Sequence, residues 1–174
     1  MEIYLIRHTT PDIEKSVCYG QSDISIASTF EYEASIVQEK LKNISFDVVY
    51  SSPLSRCIEL AKMITSNFYT DNRLKELNFG DWELKSWCDI PLTESQYWMD
   101  DFVNASTPNG ESYLELQERV IDFYKELIIK PYQTVIIVSH AGVIRALLSF
   151  LRGIDLKDSF EIRVDYGEIF SLIH

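Results

Sequence analysis

The apolar residues of this chain fall into short unbroken runs separated by stretches with helical spacing. Ile3-Tyr4-Leu5-Ile6 and Val135-Ile136-Ile137-Val138 carry no polar interruption, which predicts strands buried on both faces. Phe46 to Tyr50 reads as a third strand. Ser28 or Thr29 can cap a helix running to Leu41, with Phe30, Ala34, Val37 and Leu41 on one side. Pro53 suits a first helical turn, and Leu54 to Thr65 continues it with Cys57, Leu60, Ala61 and Ile64 inward. Ser112-x-x-Glu115 is a capping-box pattern opening a helix to Ile129, and Val143 to Leu151 forms another, closed by Gly153. An extended piece around Arg73-Leu74, a helix over Thr93 to Phe102, and terminal strands at Glu161 to Val164 and Ile169 to Leu172 complete the prediction. Alternation of strand and helix on this scale implies an α/β sandwich with a largely parallel sheet.

Length and composition narrow the picture. At 174 residues one domain is expected, and 46% hydrophobic with 25% charged residues is ordinary for a globular protein in water. A net charge of −11 argues against a nucleic-acid partner, although a local cluster of cations can still oppose that field for a small anion. No amino-terminal signal pattern precedes the first strand, and no apolar run approaches the ~20 residues of a membrane helix. Cys18, Cys57 and Cys88 are odd in number and lack metal-type spacing, so free thiols in a reducing cytoplasm are expected. The oligomeric state is left open.

The chemistry gathers where strands end. Arg7-His8 follows the first strand and Ser139-His140-Ala141-Gly142 follows the run at 135–138. Ser51-Ser52-Pro53 with Arg56 follows the strand at 46–50, and Glu76 lies beyond the extended piece. In open α/β sheets the carboxyl ends of the strands form the ligand crevice. Two histidines among two arginines make poor metal chemistry, because adjacent cations repel a metal. They make good phosphate chemistry: guanidinium forks match phosphate oxygens, a neutral imidazole can attack phosphorus, and a protonated one stabilises the transferring group. Glu76 can protonate a departing alkoxide and later activate water. Taken singly, each of these side chains reads as readily as an ordinary structural or surface residue; their joint placement carries the expectation.

These segments resemble, in order, the four motifs of the histidine phosphatase superfamily, phosphoglycerate-mutase-like branch. They are Leu5-Ile6-Arg7-His8-Thr9, Ser51-Ser52-Pro53-Leu54-Ser55-Arg56-Cys57, the stretch Leu74 to Glu83, and Val138 to Arg145. The resemblance covers nearly the whole chain. It implies a three-layer αβα sandwich with a mostly parallel central sheet, a phosphohistidine on His8, and a phosphate pocket of Arg7, Arg56 and His140. It also implies Glu76, in preference to Glu83, as proton donor, backbone near Ala141 against the phosphate, and neither metal nor other cofactor.

Arg7-His8-Thr9-Thr10-Pro11 with Cys18-Tyr19-Gly20-Gln21-Ser22-Asp23 is similar to the alpha-ribazole phosphatase group. That likeness points to the 5′-phosphate of a nucleotide-like cobalamin precursor, with Tyr19 and Gly20 at the substrate. Thr9 stands where the commoner motif has Gly, and a β-branched residue disfavours positive φ, so this turn is expected to be held differently. The insertion at 86–109 is acidic through Asp89, Glu94, Asp100 and Asp101 and lacks a second basic cluster, which favours a phosphatase over a mutase. It is expected to cover part of the site, and Tyr19, Trp82, Trp87, Tyr97 and Trp98 are candidates for a flat surface under a base-like leaving group. A broad-specificity small-molecule phosphatase, a mutase-like enzyme, a phosphoprotein phosphatase and a non-catalytic binding protein on the same fold are the alternatives. The last is disfavoured because His8, Arg56, Glu76 and His140 are all present.

Overall fold

The computed structural model describes residues Met1–His174. Five strands form one sheet: β1 (Glu2–Arg7), β2 (Val48–Ser51), β3 (Tyr69–Thr70), β4 (Thr134–Ser139) and β5 (Ile169–Ile173). Their order is β3-β2-β4-β1-β5, parallel throughout except for β5, which runs antiparallel to β1. The helices are α1 (Phe30–Leu41), α2 (Ser55–Ile64), α3 (Leu92–Asp100), α4 (Tyr113–Ile128) and α5 (Ala141–Arg152). None is long and apolar enough to cross a membrane.

The period-two alternation of the strands sorts the helices into layers. Ile3 and Leu5 of β1 and Val135 and Ile137 of β4 pack with Leu116, Val120 and Phe123 of α4 and Ile144 and Leu147 of α5. The intervening residues Ile6, Ile136 and Val138 face the other way, against Phe30, Ala34 and Val37 of α1 and Leu60 and Ala61 of α2. The inner positions of the central strands are therefore apolar because both faces are covered. This is the expected αβα sandwich with a mostly parallel sheet.

The sheet order matters for function. β4 lies between β1 and β2, so three strands that are remote in sequence end side by side. Register places Arg7 beside Ser139, and Ser51 beside Val138. Beyond the ladders the chains stay tied: the His8 amide donates to the Ser139 carbonyl (3.0 Å), and the Ser52 amide to the Val138 carbonyl (2.9 Å).

Two expected elements take other forms. Around Arg73-Leu74 the chain makes a 3₁₀ turn, Asn72–Leu74, and the strand lies earlier, at Tyr69–Thr70. The Asp71 carboxylate accepts the Arg73 amide (2.8 Å) and its guanidinium (2.7 Å), an Asx-type closure that curls the chain. Residues 161–164 do not form a strand; a 3₁₀ segment, Leu156–Glu161, leads into irregular chain. There the carbonyls of Ile162 and Val164 accept from Arg145 Nε (2.9 Å) and Arg7 Nη1 (2.7 Å) instead of a neighbouring strand. Alternating apolar residues signalled burial correctly, but arginines took the hydrogen bonds a ladder needs.

The capping box is realised at α4. Ser112 Oγ accepts the Glu115 amide (3.2 Å), and Glu115 Oε2 accepts the Ser112 amide (2.7 Å). At α1, by contrast, Thr29 offers no side-chain cap; its hydroxyl donates to Glu33 (2.6 Å), whose other oxygen accepts the Thr10 amide (2.8 Å). Ser112→Ala is expected to cost about 1 kcal/mol, lowering Tm by about 2–4 °C for a chain of this size. Thermal unfolding checks this, and an unchanged Tm would show that α4 does not depend on its box.

Candidate functional site

His8 leaves β1 into a buried turn. Its Nδ1 lies 2.7 Å from the Thr9 carbonyl, which can only accept, so Nδ1 carries the proton and the Nε2 lone pair is free. Burial, reinforced by Arg56 and then Arg7, pulls its pKa well below the usual imidazole value, and the Thr9 bond opposes that only in part. Thr9 makes this turn without positive φ, since Leu84 and Asn109 are the only non-glycine residues in that region. A neutral ring with a free Nε2 is the form a nucleophile requires.

His140 caps β4 and faces His8, with ring centroids 5.1 Å apart in an edge-on arrangement. Its Nε2 lies 2.8 Å from Ser52 Oγ, and the Cys57 thiol lies 3.5 Å from the same nitrogen. Burial first, then Arg56 and His8, lowers its pKa well below the ordinary value. Burial pushes the Cys57 thiol up, so it stays protonated.

Arg56, the second residue of α2, has 0% exposure, as does His140, and His8 has 2%. No carboxylate pairs with Arg56. Its Nη2 donates to the Gly20 carbonyl (2.7 Å) and its Nη1 to the Ser22 carbonyl (3.0 Å). Arg7 Nη1 is held by the Val164 carbonyl. The Nε atoms of both arginines are buried without a protein partner, and a buried charge-bearing donor left unpaired is costly. An anion is the ligand that two unneutralised guanidiniums call for.

The loop that feeds Arg56 is lashed down by Glu83. Its carboxylate accepts the amides of Gln21 (2.8 Å), Ser22 (2.5 Å) and Phe79 (3.1 Å) as well as the Ser22 hydroxyl. Gly20 is needed for approach: a Cβ there would sit 1.9 Å from the Leu77 carbonyl oxygen. Gly20 thus reaches the site through its carbonyl.

Glu76 is placed differently from Glu83. Its carboxylate accepts the amides of Leu77 (3.0 Å) and Gly142 (3.2 Å), the second at the start of α5, and it makes no ion pair. A Cβ on Gly142 would lie 2.3 Å from Glu76 Oε1, so a glycine at 142 is what lets the carboxylate approach. The Glu76 carbonyl is held by Arg119 (3.0 Å) and Gln21 (3.1 Å), fixing the backbone behind it.

Above these groups opens a cleft of about 220 Å³ that meets Arg7, Tyr19, Glu76, Ala141 and Arg145. Four larger depressions, of about 270 to 520 Å³, lie elsewhere; one of about 370 Å³, lined by Asp100, Asp101 and Asp155 against one lysine, would repel an anion. All eight residues singled out from the sequence therefore lie at or directly behind one edge: His8, Glu76, His140, Arg7, Arg56, Tyr19, Gly20 and Ala141. No group of three His, Cys, Asp or Glu side chains there or elsewhere is spaced to hold a metal ion.

The aromatic expectation needs correction. Of the five candidates only Tyr19 borders the cleft. Trp82 is buried with its Nε1 donating to Glu94 (3.0 Å), Tyr97 is 69% exposed, and Trp87 and Trp98 pack on Trp82 and Phe79. The cleft walls are instead Phe79, Tyr113 and Phe160, backed by Trp98 and Phe102. Arg145, Tyr113 and Tyr166 are the groups sequence reasoning missed, while Ser52, read there only as part of a strand end, proves to meet His140. Arg145 falls one helical turn after Gly142 on α5, a spacing that could have flagged it.

Known proteins resemble this chain in sequence and fold. The chain is 28% identical to the adenosylcobalamin/alpha-ribazole phosphatase of Escherichia coli K12 over 176 residues, covering 96% of this chain and 87% of that one. It is 25% identical to phosphoserine phosphatase 1 of Hydrogenobacter thermophilus over 183 residues, covering 100% and 86%. The crystal structure of the alpha-ribazole phosphatase from Shigella flexneri superposes with a TM-score of 0.91 at 28% identity, covering 98% of this chain and 89% of that one. Residues 3–174 match the family description "Histidine phosphatase superfamily (branch 1)", so the chain belongs to that superfamily.

Proposed function

We propose that this chain hydrolyses phosphomonoesters through a phosphohistidine on His8, without a metal, and that its substrate is alpha-ribazole 5′-phosphate in cobalamin assembly. The observation that carries the reaction is the bond from His8 Nδ1 to the Thr9 carbonyl, which leaves Nε2 unprotonated near the buried guanidinium of Arg56 and the half-buried one of Arg7. The likeness to alpha-ribazole phosphatases supports the substrate. A broader range of small phosphomonoesters is the second reading, favoured by the likeness to a phosphoserine phosphatase. Residues 1–174 are taken as one domain, with 86–109 as the cover that backs the aromatic cleft wall. Three free thiols support the cytoplasm as its place of work.

In this reading Arg7, Arg56 and the amino end of α5 hold the phosphate oxygens, and Nε2 of His8 attacks phosphorus in line with the ester oxygen. As the P–O bond breaks, Glu76 passes its proton to the leaving oxygen. Water then gives a proton back to Glu76 and attacks the phosphohistidine, the N–P bond breaks, and inorganic phosphate departs. The sequence alone suggests a protonated second imidazole. Burial and Arg56 favour the neutral form of His140 in the free pocket, whereas the charge of a bound dianion would favour the protonated one.

His8→Ala is expected to reduce kcat by at least about 10⁴-fold, and rapid quench of wild type should trap acid-labile phosphate on His8. Activity retained by His8→Ala, or lost to a chelator, would sink the mechanism. Glu76→Gln should cost roughly 10²–10⁴-fold with alkyl phosphates but far less with p-nitrophenyl phosphate, whose leaving group needs no proton. Equal losses on both esters would remove Glu76 as acid.

Both imidazoles titrate below the ordinary histidine value, so the unfolded chain takes up protons first as pH falls through about 6.5. Their burial therefore weakens the fold on the acid side of that point, and at pH 6 both rings should be neutral by nitrogen NMR of the free protein. A protonated His8 at pH 6 would contradict the assignment. For the substrate, kcat/KM on alpha-ribazole 5′-phosphate is to be compared with phosphoserine, 3-phosphoglycerate, sugar phosphates and nucleoside monophosphates. A clear preference for the ribazole ester is expected, and a flat profile would replace it with the broader reading.

A further inference from the structure

Each guanidinium at the proposed phosphate pocket carries a tyrosine that the reaction just described does not use. Tyr166 lies in the turn before β5, and its ring centre is 3.7 Å from Arg7 Cζ and 5.5 Å from the His8 ring. Tyr19, in the loop between β1 and α1, has its ring centre 5.3 Å from Arg56 Cζ. The two hydroxyls share a 3.0 Å hydrogen bond across 147 residues of sequence. The turn holding Tyr166 is pinned where it matters: Gly167, at φ +67°, donates its amide to the carbonyls of Arg7 (3.1 Å) and His8 (3.3 Å).

The need for such a device is visible in Arg7. Its guanidinium has one bond to protein, from Nη1 to Val164, and a buried Nε without a partner. A long side chain fixed at one corner keeps freedom to swing, and a ring stacked against its face removes that freedom while leaving the in-plane donors for a ligand. Burial and the bond to Tyr166 push the Tyr19 hydroxyl pKa up, so the link between the hydroxyls persists at neutral pH.

We infer that Tyr166 is a positioning residue for the phosphate-binding Arg7, and that the Tyr19–Tyr166 hydroxyl bond is a clasp joining the β1–α1 loop to the β5 turn beside the pocket. The inference rests on the reading that Arg7 and His8 engage phosphate. Two parts act separately: the ring of Tyr166 orients Arg7, and the paired hydroxyls hold the two segments together.

Calorimetric binding of inorganic phosphate to the intact protein tests the first part without relying on turnover. Tyr166→Leu should weaken phosphate binding by about three- to fivefold, the factor a partly exposed cation–π contact supports, while Tyr166→Phe, which keeps the ring, stays within about twofold of wild type. Wild-type affinity in a folded Tyr166→Leu would overturn the positioning role; should that variant not fold, Tyr166→Met fills the volume without a ring and is read the same way. For the clasp, Tyr19→Phe and Tyr166→Phe should each raise KM for p-nitrophenyl phosphate by a similar factor of about two, and the double variant should be no worse than either. Silent single variants, or effects that simply multiply, would overturn it. Failure of the underlying reading looks different: wild type would then bind no phosphate at all.

Discussion

A fully buried arginine without a carboxylate partner is the constraint around which the rest of this structure is arranged. A counter-ion beside Arg56 would lower the cost of burying it, but would also neutralise the charge that makes the pocket attractive to phosphate. The protein solves this with dipoles. The carbonyls of Gly20 and Ser22 take two of the guanidinium's corners, and those carbonyls must then be fixed in turn. Glu83 does so from behind by collecting the amides of Gln21 and Ser22, and the missing side chain at Gly20 lets that segment press against Leu77. A loop that looks free in sequence is therefore among the most constrained parts of the molecule. Its other anchors, from the Pro11–Ile26 bridge to the Cys18 amide on the Lys85 carbonyl, serve the same end.

The two carboxylates of the third motif divide the work by what they touch. Glu83 spends its oxygens on backbone amides around Arg56, whereas Glu76 faces the cleft with amides only at its base. Neither forms an ion pair, so the arginines of the site keep their charge. The same separation holds for the cations: Arg73 and Arg119 are paired with Asp71, Glu126 and Glu111, while Arg7, Arg56 and Arg145 have no acid within ion-pair distance. An acidic protein can thus present a positive pocket, because the balance of charge is local.

Much of this could be read from the chain because strand ends and helix starts are written in adjacent residues. Arg7-His8 and Ser139-His140 sit where an apolar run stops and the Ser112 box where an amphipathic helix starts, and short-range stereochemistry decides the path of the next few residues. Groups contributed across long separations were not legible. Tyr166 has no local pattern, and nothing near it says that its ring will meet Arg7, 159 residues away in sequence. The segment at 161–164 misled for a related reason: Ile162 and Val164 alternate as a strand does, but their carbonyls are spoken for by arginines from β1 and α5. The tryptophans of 82–98 were legible as a cluster and not as a location, because aromatic content alone does not say which face of a wall a ring will join.

β1 has a double occupation. Its residues divide between two cores, Ile3 and Leu5 to one and Ile6 to the other, and the same six-residue strand ends in the proposed nucleophile's neighbour. A slip of one residue against β4 would exchange the faces of every side chain and shift Arg7 and His8 along the edge by about 3.3 Å. The packing of oily side chains some distance from any substrate thus works as a ruler, measuring out where the reactive imidazole stands. Selection on that core and selection on that chemistry act on one and the same register.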